Sequence, residues 1–156
     1  MRNYLRIQEL RFPGQLIPEI KAPEFLLNTP VPPLVIQTFV ENAVKHAITL
    51  DDPVYLYIEL EMSEQPQAGI QIQIRDTGPG FQDEIIRKIN QEERIVDEDG
   101  EHIGIRNLKQ RLRLLYHGLG EVTLCNAVPH GASVGITLPF APDNHTNHSP
   151  GGTAPC

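Results

Sequence analysis

Tryptophan is absent from this 156-residue chain, aromatic residues make up 6% of it, and there are two cysteines. Cys125, inside an apolar stretch, and Cys156, at the C-terminus, supply neither a disulfide framework nor the paired spacing of a zinc site. No apolar run reaches the ~18 residues of a membrane span. The opening MRNYLRIQELRF carries charge throughout and lacks the apolar segment of a signal peptide. These absences predict a cytoplasmic chain that makes no membrane contact of its own. Positive charge is also scarce: 13 Lys and Arg stand against 20 Asp and Glu, a net charge of −7. That balance opposes nonspecific attraction to nucleic acid or anionic lipid, so no nucleic-acid partner is expected. An anionic ligand would need a local basic site or a metal.

Hydrophobic residues make up 40% and charged residues 21%, the profile of a soluble globular protein. At roughly 100 to 200 residues per domain the chain is one domain with a short appendage. Folding can remove about 69% of its surface from water, enough for a core without staples.

Residues 1–12 read as a helix, with Tyr4, Leu5, Ile7 and Leu10 as its apolar positions, and as the end of a linker from an upstream region. After Pro13-Gly14, QLIPEIKAPEFLLN reads as edge strands or a hairpin broken by prolines. Pro32 and Pro33 suit the first turn of a helix, and LVIQTFVENAVKHAI continues it without a breaker. Its buried stripe is Ile36, Phe39, Val40, Ala43, Val44 and Ala47, with Thr38, Glu41, Asn42, Lys45 and His46 opposite. VYLYIELEM (apolar face Val54, Leu56, Ile58, Leu60, Met62) and IQIQIR alternate as half-buried strands paired antiparallel. QDEIIRKIN reads as a short helix, and residues 91–102 as a solvated acidic loop. IGIRNLKQRLRLLYHG is a second long helix with Ile105, Leu108, Leu112 and Leu115 inward, closed by Gly118. EVTLCNAV and ASVGITLPF are two further strands around PHG, and the polar, Gly/Pro-rich 141–156 reads as a disordered tail. Alternating strands with helices on one face predict an α+β fold, a two-layer α/β sandwich.

Three clusters could carry chemistry. Glu41, Asn42, Lys45 and His46 project together from one helix face, a set that suits hydrated Mg²⁺ with phosphates; a solvated face with a Glu41–Lys45 ion pair explains the same spacing. Asp76-Thr77-Gly78-Pro79-Gly80 ends a strand, where glycines let the backbone approach a flat ligand and Asp76 accepts hydrogen bonds, as from an adenine amine. A tight turn accounts for it equally. Gly100-Glu101-His102-Ile103-Gly104 opens a helix whose N–H groups suit an anion, and Arg106, Lys109, Arg111 and Arg113 follow with no acid between Ile103 and Gly120. A surface helix reads the same way. Gly131-Ala132-Ser133 is by itself a hairpin signal.

In order, VENAVKHA, DTGPGF, GEHIGIRNLKQRL and GASVGITLP resemble the N, G1, G2 and G3 boxes of the GHKL (Bergerat-fold) ATP-binding domains. The flanking sequence is most similar to the LytS/YesM-like branch of sensor histidine kinases, over residues 9 to 140. The resemblance implies a Bergerat-type sandwich, its mixed, mostly antiparallel sheet covered by helices on one face, with ATP and Mg²⁺ as cofactors and the domain proper at 13–140. It implies that Asn42 holds the metal, that Lys45 and His46 lie near the phosphates, and that Asp76 receives the adenine amine. Gly78 and Gly80 would shape the adenine pocket, with Gly131 of the G3 box beside them. Residues 91–103 would be the lid, with Gly104, flanked by Ile103 and Ile105, opening the helix under the phosphates and Asn107 and Arg111 near them. Glu41 matches the acidic position that activates water in related ATPases.

His102 and Ala132 depart from the usual glycine and threonine of their boxes. Nothing in the chain matches the family's Pro-His-Phe acceptor segment, so a catalytic fragment without phosphoacceptor, sensor or dimerisation helices is expected. Its partners would be ATP, the dimerisation and histidine phosphotransfer domain of a parent kinase in the cell membrane, and a response regulator. The rival readings are a GHKL ATPase or serine kinase acting on a partner with Glu41 as base, and a docking module with weak nucleotide binding. A methyltransferase with an S-adenosylmethionine loop at DxGxG is opposed by the alternating strands.

Overall fold

The computed structural model describes residues 2–32, 34–48, 52–64, 68–91 and 103–140. The elements run α1 (Arg2–Arg11), β1 (Leu16–Lys21), a 3₁₀ turn (Glu24–Leu26), α2 (Val35–Ala47), β2 (Val54–Ser63), β3 (Gly69–Asp76), α3 (Asp83–Asn90), α4 (Ile103–Leu115), β4 (Glu121–Asn126) and β5 (Ala132–Pro139). The strands form one sheet in the order β1-β2-β3-β5-β4. β1 lies parallel to β2, and every other pairing is antiparallel.

Period-two alternation decides which face is covered. Leu56, Ile58, Ile72, Ile74, Val134, Ile136, Val122 and Leu124 are buried on one side, in register across four strands. Their neighbours Tyr55, Gln71, Arg75, Thr123 and Cys125 are exposed on the other. The helices close the buried side through Leu5 of α1, Val35, Phe39, Val40 and Ala43 of α2, Ile85 and Ile89 of α3, and Ile105, Leu108 and Leu112 of α4. This is the predicted α+β two-layer sandwich.

Several local expectations are corrected. The proline-broken segment 15–28 takes the edge-strand alternative with one strand, parallel to β2, followed by a 3₁₀ turn, and forms no hairpin. In α1, Ile7 and Leu10 are 61% and 76% exposed, and Gln8 takes the inward place beside Leu5. α2 begins after the prolines, at Val35, behind Leu34 with φ 72°. Val35 is fully buried, whereas Ile36 and Val44 are only partly covered. Met62 and Leu115, at the far ends of their elements, are about half exposed. Residues 92–102, which include most of the expected lid, and the tail 141–156 lie outside the described residues.

The free edge of β4 is closed by a side chain. Asn90, ending α3, donates from Nδ2 to the Leu124 carbonyl at 2.8 Å, and the Leu124 N–H donates to its Oδ1 at 2.9 Å. An amide has the donor and acceptor of a peptide unit, so Asn90 serves as a one-residue sixth strand. Lys109 of α4 holds the same corner, donating to the Ile89 carbonyl at 2.7 Å, where the helix dipole favours a cation. Asn90→Ala is expected to lower unfolding free energy by about 1–2 kcal/mol, read from the urea midpoint. An unchanged midpoint would show that water closes this edge equally well.

Candidate functional site: a cavity between α2 and the end of β3

A cavity of about 350 Å³ opens between the C-terminal half of α2, the turn after β3 and the start of β5. Such a volume is in the range of small-molecule sites. Phe39, Ala43, Ala47, Ile74 and Val134 give it apolar walls, and Asn42, His46 and Asp76 give it polar groups.

Asp76 is the last residue of β3 and only 7% exposed. Its Oδ1 accepts the Gly78 N–H at 2.8 Å and the Ala132 N–H at 3.1 Å, tying its own turn to the first residue of β5. Burial pushes its carboxyl above the usual range, and the two backbone hydrogen bonds oppose the shift. Because both bonds fall on Oδ1, the carboxylate keeps accepting capacity for a ligand that donates. Thr77 continues the β2–β3 pairing beside it: its N–H donates to the Tyr55 carbonyl at 3.2 Å, and its Oγ1 accepts the Tyr55 N–H at 3.0 Å.

Glycine is required around this carboxylate. A Cβ at Gly78 would overlap the Ala47 methyl and stand 2.7 Å from the Ala47 Cα, so the turn packs directly on the end of α2. Gly80 has φ +81° and Gly131 has φ +112°, both in the region that side chains disfavour. A Cβ at Gly131 would overlap the Asp76 carbonyl oxygen.

Asn42 of α2, which also lines the cavity, has a buried Nδ2 with no hydrogen-bond partner among the described residues. A donor left unpaired in the interior costs roughly 1–3 kcal/mol. The amide combines a carbonyl oxygen acceptable to Mg²⁺ with an N–H suited to a phosphate oxygen. Among the described residues no three His, Cys, Asp or Glu side chains converge as a metal cage.

The structure thus brings Asn42, His46, Asp76 and Gly80 to one cavity, with Gly78 and Gly131 packed behind its wall. Glu41 and Lys45 are exposed on α2 and do not line it. Glu41 accepts a hydrogen bond from Gln37 Nε2 at 2.7 Å. On α4, Ile103 begins the helix, and Gly104 is exposed in the first turn, where a Cβ would stand 3.7 Å from the Thr38 methyl of α2. Ile105 is a fully buried core residue, and Asn107 and Arg111 are exposed and do not line the cavity. Ala132 lines the cavity and supplies an N–H to Asp76. Phe81, the last residue of the DTGPGF box but given no role from the sequence, and Gln82, outside that box, also line the cavity. Their only sequence signal is position, immediately after the glycine turn.

A one-sided α/β sandwich with an acidic floor, a small-residue turn and a polar helix face above it defines a nucleotide-site class of protein. The match to a family model makes this specific. Residues 32–142 match the histidine kinase-, DNA gyrase B- and HSP90-like ATPase family, and the chain belongs to it. Among its relatives, the sensor protein LytS of Streptococcus agalactiae is 34% identical over 153 residues, 92% of this chain. The sensor histidine kinase/phosphatase LytS of Staphylococcus aureus is 27% identical over 140 residues, 90% of this chain. The chain spans 24% of the length of each. Among solved structures, the mycobacterial sensor histidine kinase MprB aligns with TM-score 0.58 at 20% identity, covering 88% of this chain and 89% of that one. The catalytic domain of histidine kinase ThkA, nucleotide-free, aligns with TM-score 0.61 at 13% identity, covering 90% and 91%. Both share the fold. Among the described residues no helix is long and apolar enough to cross a membrane.

Proposed function

We propose that the chain binds Mg·ATP in this cavity and, as the catalytic domain of a cytoplasmic kinase portion, presents the γ-phosphoryl group to a histidine on a dimerisation helix pair. A response regulator then takes the phosphoryl group. The observation that carries the reading is that one cavity is lined both by the Asp76 carboxylate, anchored through Oδ1, and by Asn42, whose Nδ2 has no hydrogen-bond partner among the described residues. The similarity to the Staphylococcus aureus sensor histidine kinase/phosphatase LytS supports the reaction class.

In this reading Asp76 accepts the exocyclic amine of adenine, and the apolar walls from Phe39, Ile74 and Val134 cover the ring. Asn42 holds Mg²⁺, which supplies neutralisation of the triphosphate charge. His46 lies at the rim and Lys45 on the outer face of the same helix, adding donors toward the solvent end. Catalysis of this kind rests on positioning and charge neutralisation, so the domain has little covalent chemistry to perform. Transfer breaks the bond from the γ-phosphorus to the bridging oxygen and forms one to an imidazole nitrogen, leaving ADP.

Calorimetric titration with ATP, with and without excess Mg²⁺, tests the reading. Wild type binds, and Mg²⁺ tightens binding; in Asn42→Ala the Mg²⁺-dependent gain falls by about tenfold, or ~1.4 kcal/mol. Alone the chain releases phosphate only slowly. Absence of ATP binding by wild type would overturn the proposal, and rapid self-phosphorylation would overturn the need for an acceptor supplied from elsewhere.

A further inference from the structure

We infer that Asn126 is a positioning residue for the base end of the cavity, an inference that rests on the ATP-binding reading above. The chain leaves the sheet after Thr77, which makes the last bonds to β2, and the wall from Pro79 to Gln82 must then be held by something other than strand pairing. Asn126, the last residue of β4, provides the hold. The Phe81 N–H donates to its Oδ1 at 2.7 Å, and its Nδ2 donates to the Phe81 carbonyl at 2.9 Å. One side chain therefore takes both backbone groups of Phe81. The amide also lies against Gly80, where a Cβ would come within 2.6 Å of the same Oδ1.

The place of Asn126 in the sheet gives this contact its consequence. Its register partner on β5 is Ala132, whose N–H holds Asp76. The Ala127 N–H donates to the Gly131 carbonyl at 2.8 Å and closes the hairpin between them. A single rung of the sheet thus fixes two walls of the cavity, the acidic floor through the Ala132 backbone and the glycine turn through the Asn126 side chain. Without the amide, the turn would populate other conformations. Apparent affinity falls in proportion to the fraction that remains competent.

The effect belongs to the base end, so it should be the same for adenosine, ADP and ATP. A general loss of fold would instead show in the melt of the ligand-free protein. The test is titration of wild type, Asn126→Ala and Asn126→Asp with all three ligands, alongside hydrogen exchange at the Phe81 amide. Expected is a common loss of about fivefold to tenfold in Asn126→Ala, faster exchange at Phe81, and a smaller loss for adenosine in Asn126→Asp, which keeps the acceptor and lacks the donor. Unchanged affinity in Asn126→Ala, or a loss that grows with phosphate number, overturns the inference. If Asn126→Ala does not fold, Asn126→Asp with adenosine decides alone, and wild-type affinity there overturns it. Failure of wild type to bind any of the three would count against the ATP-binding reading itself.

Discussion

Asp76→Asn is expected to bind ATP at least about thirtyfold more weakly than wild type while melting at no lower a temperature. The affinity loss follows from hydrogen-bond polarity. In the variant, Oδ1 can still accept the Gly78 and Ala132 N–H groups, which turns Nδ2 toward the cavity, where the adenine amine also donates. A charged acceptor is replaced by a facing donor, and a hydrogen bond to a charged group contributes about 2 kcal/mol, near thirtyfold in affinity. The melting behaviour follows from burial. Asp76 is 7% exposed, and burial raises its pKa, so the folded ligand-free protein holds this proton more tightly than the unfolded chain. Its contribution to stability is present below the unfolded value near 3.8 and is lost as pH rises through the raised folded value. A neutral amide removes that cost at neutral pH.

Nucleotide affinity runs the other way, because the ionised carboxylate is the better acceptor and acidification through the raised pKa removes it. Wild type should therefore lose more ATP affinity than Asp76→Asn as the pH is lowered from neutrality, with the variant correcting for protonation of the ligand. Titrations and melts of both proteins at two pH values measure the whole set. Equal affinity of the two proteins at neutral pH would place the adenine amine elsewhere.

Gly131→Ala is expected to cost about 3 kcal/mol of stability and to remove ATP binding. The added methyl would overlap the Asp76 carbonyl oxygen and stand 2.9 Å from its carbon, at a residue with φ +112°. Neither neighbour is a flexible side-chain end, so the β4–β5 hairpin must move away from β3. Movement of that hairpin withdraws the Ala132 N–H from Asp76 and carries Asn126 away from Phe81. The urea midpoint and an ATP titration report the two consequences separately. A midpoint within experimental error of wild type would mean that this turn is not the rigid join between the two strands. Loss of binding with full stability would place Gly131 in contact with the ligand.

The readable part of the fold was the part written in periodicity. Val54, Leu56 and Ile58 alternate, as do Ile70, Ile72 and Ile74, and residues 35–47 repeat at helical spacing, so elements and their inward faces follow from local pattern. β1 was less legible because Pro18 interrupts its six residues, and its parallel pairing with β2 depends on where the intervening α2 returns the chain. α1 misleads in a different way: Ile7 and Leu10 are apolar yet exposed, and Gln8 is buried, because the partner surface at β1 selects a face that hydrophobicity does not mark. Within the site, Asn42, Asp76 and the glycines could be singled out from motif and turn chemistry. Asn126 could not, since a polar residue ending a strand beside a Pro-His-Gly turn has the ordinary signature of a turn.

The sequence by itself determined the one-sided sandwich, the family and the polar set from which the site is drawn. Hydrophobic periodicity and the four ordered boxes are local properties, readable without knowing what any residue touches. Only the tertiary structure decided which members of that set share a cavity. Asn42 and His46 border it, while Glu41 and Lys45, neighbours on the same helix, do not. The rotation of about 100° between successive helical positions has meaning only relative to the surface that α2 packs upon. The structure likewise decided that Gly131 must be glycine and that Asn126 and Asn90 act as backbone substitutes. Each depends on a group 34 to 55 residues away in the chain, a separation that local pattern does not encode.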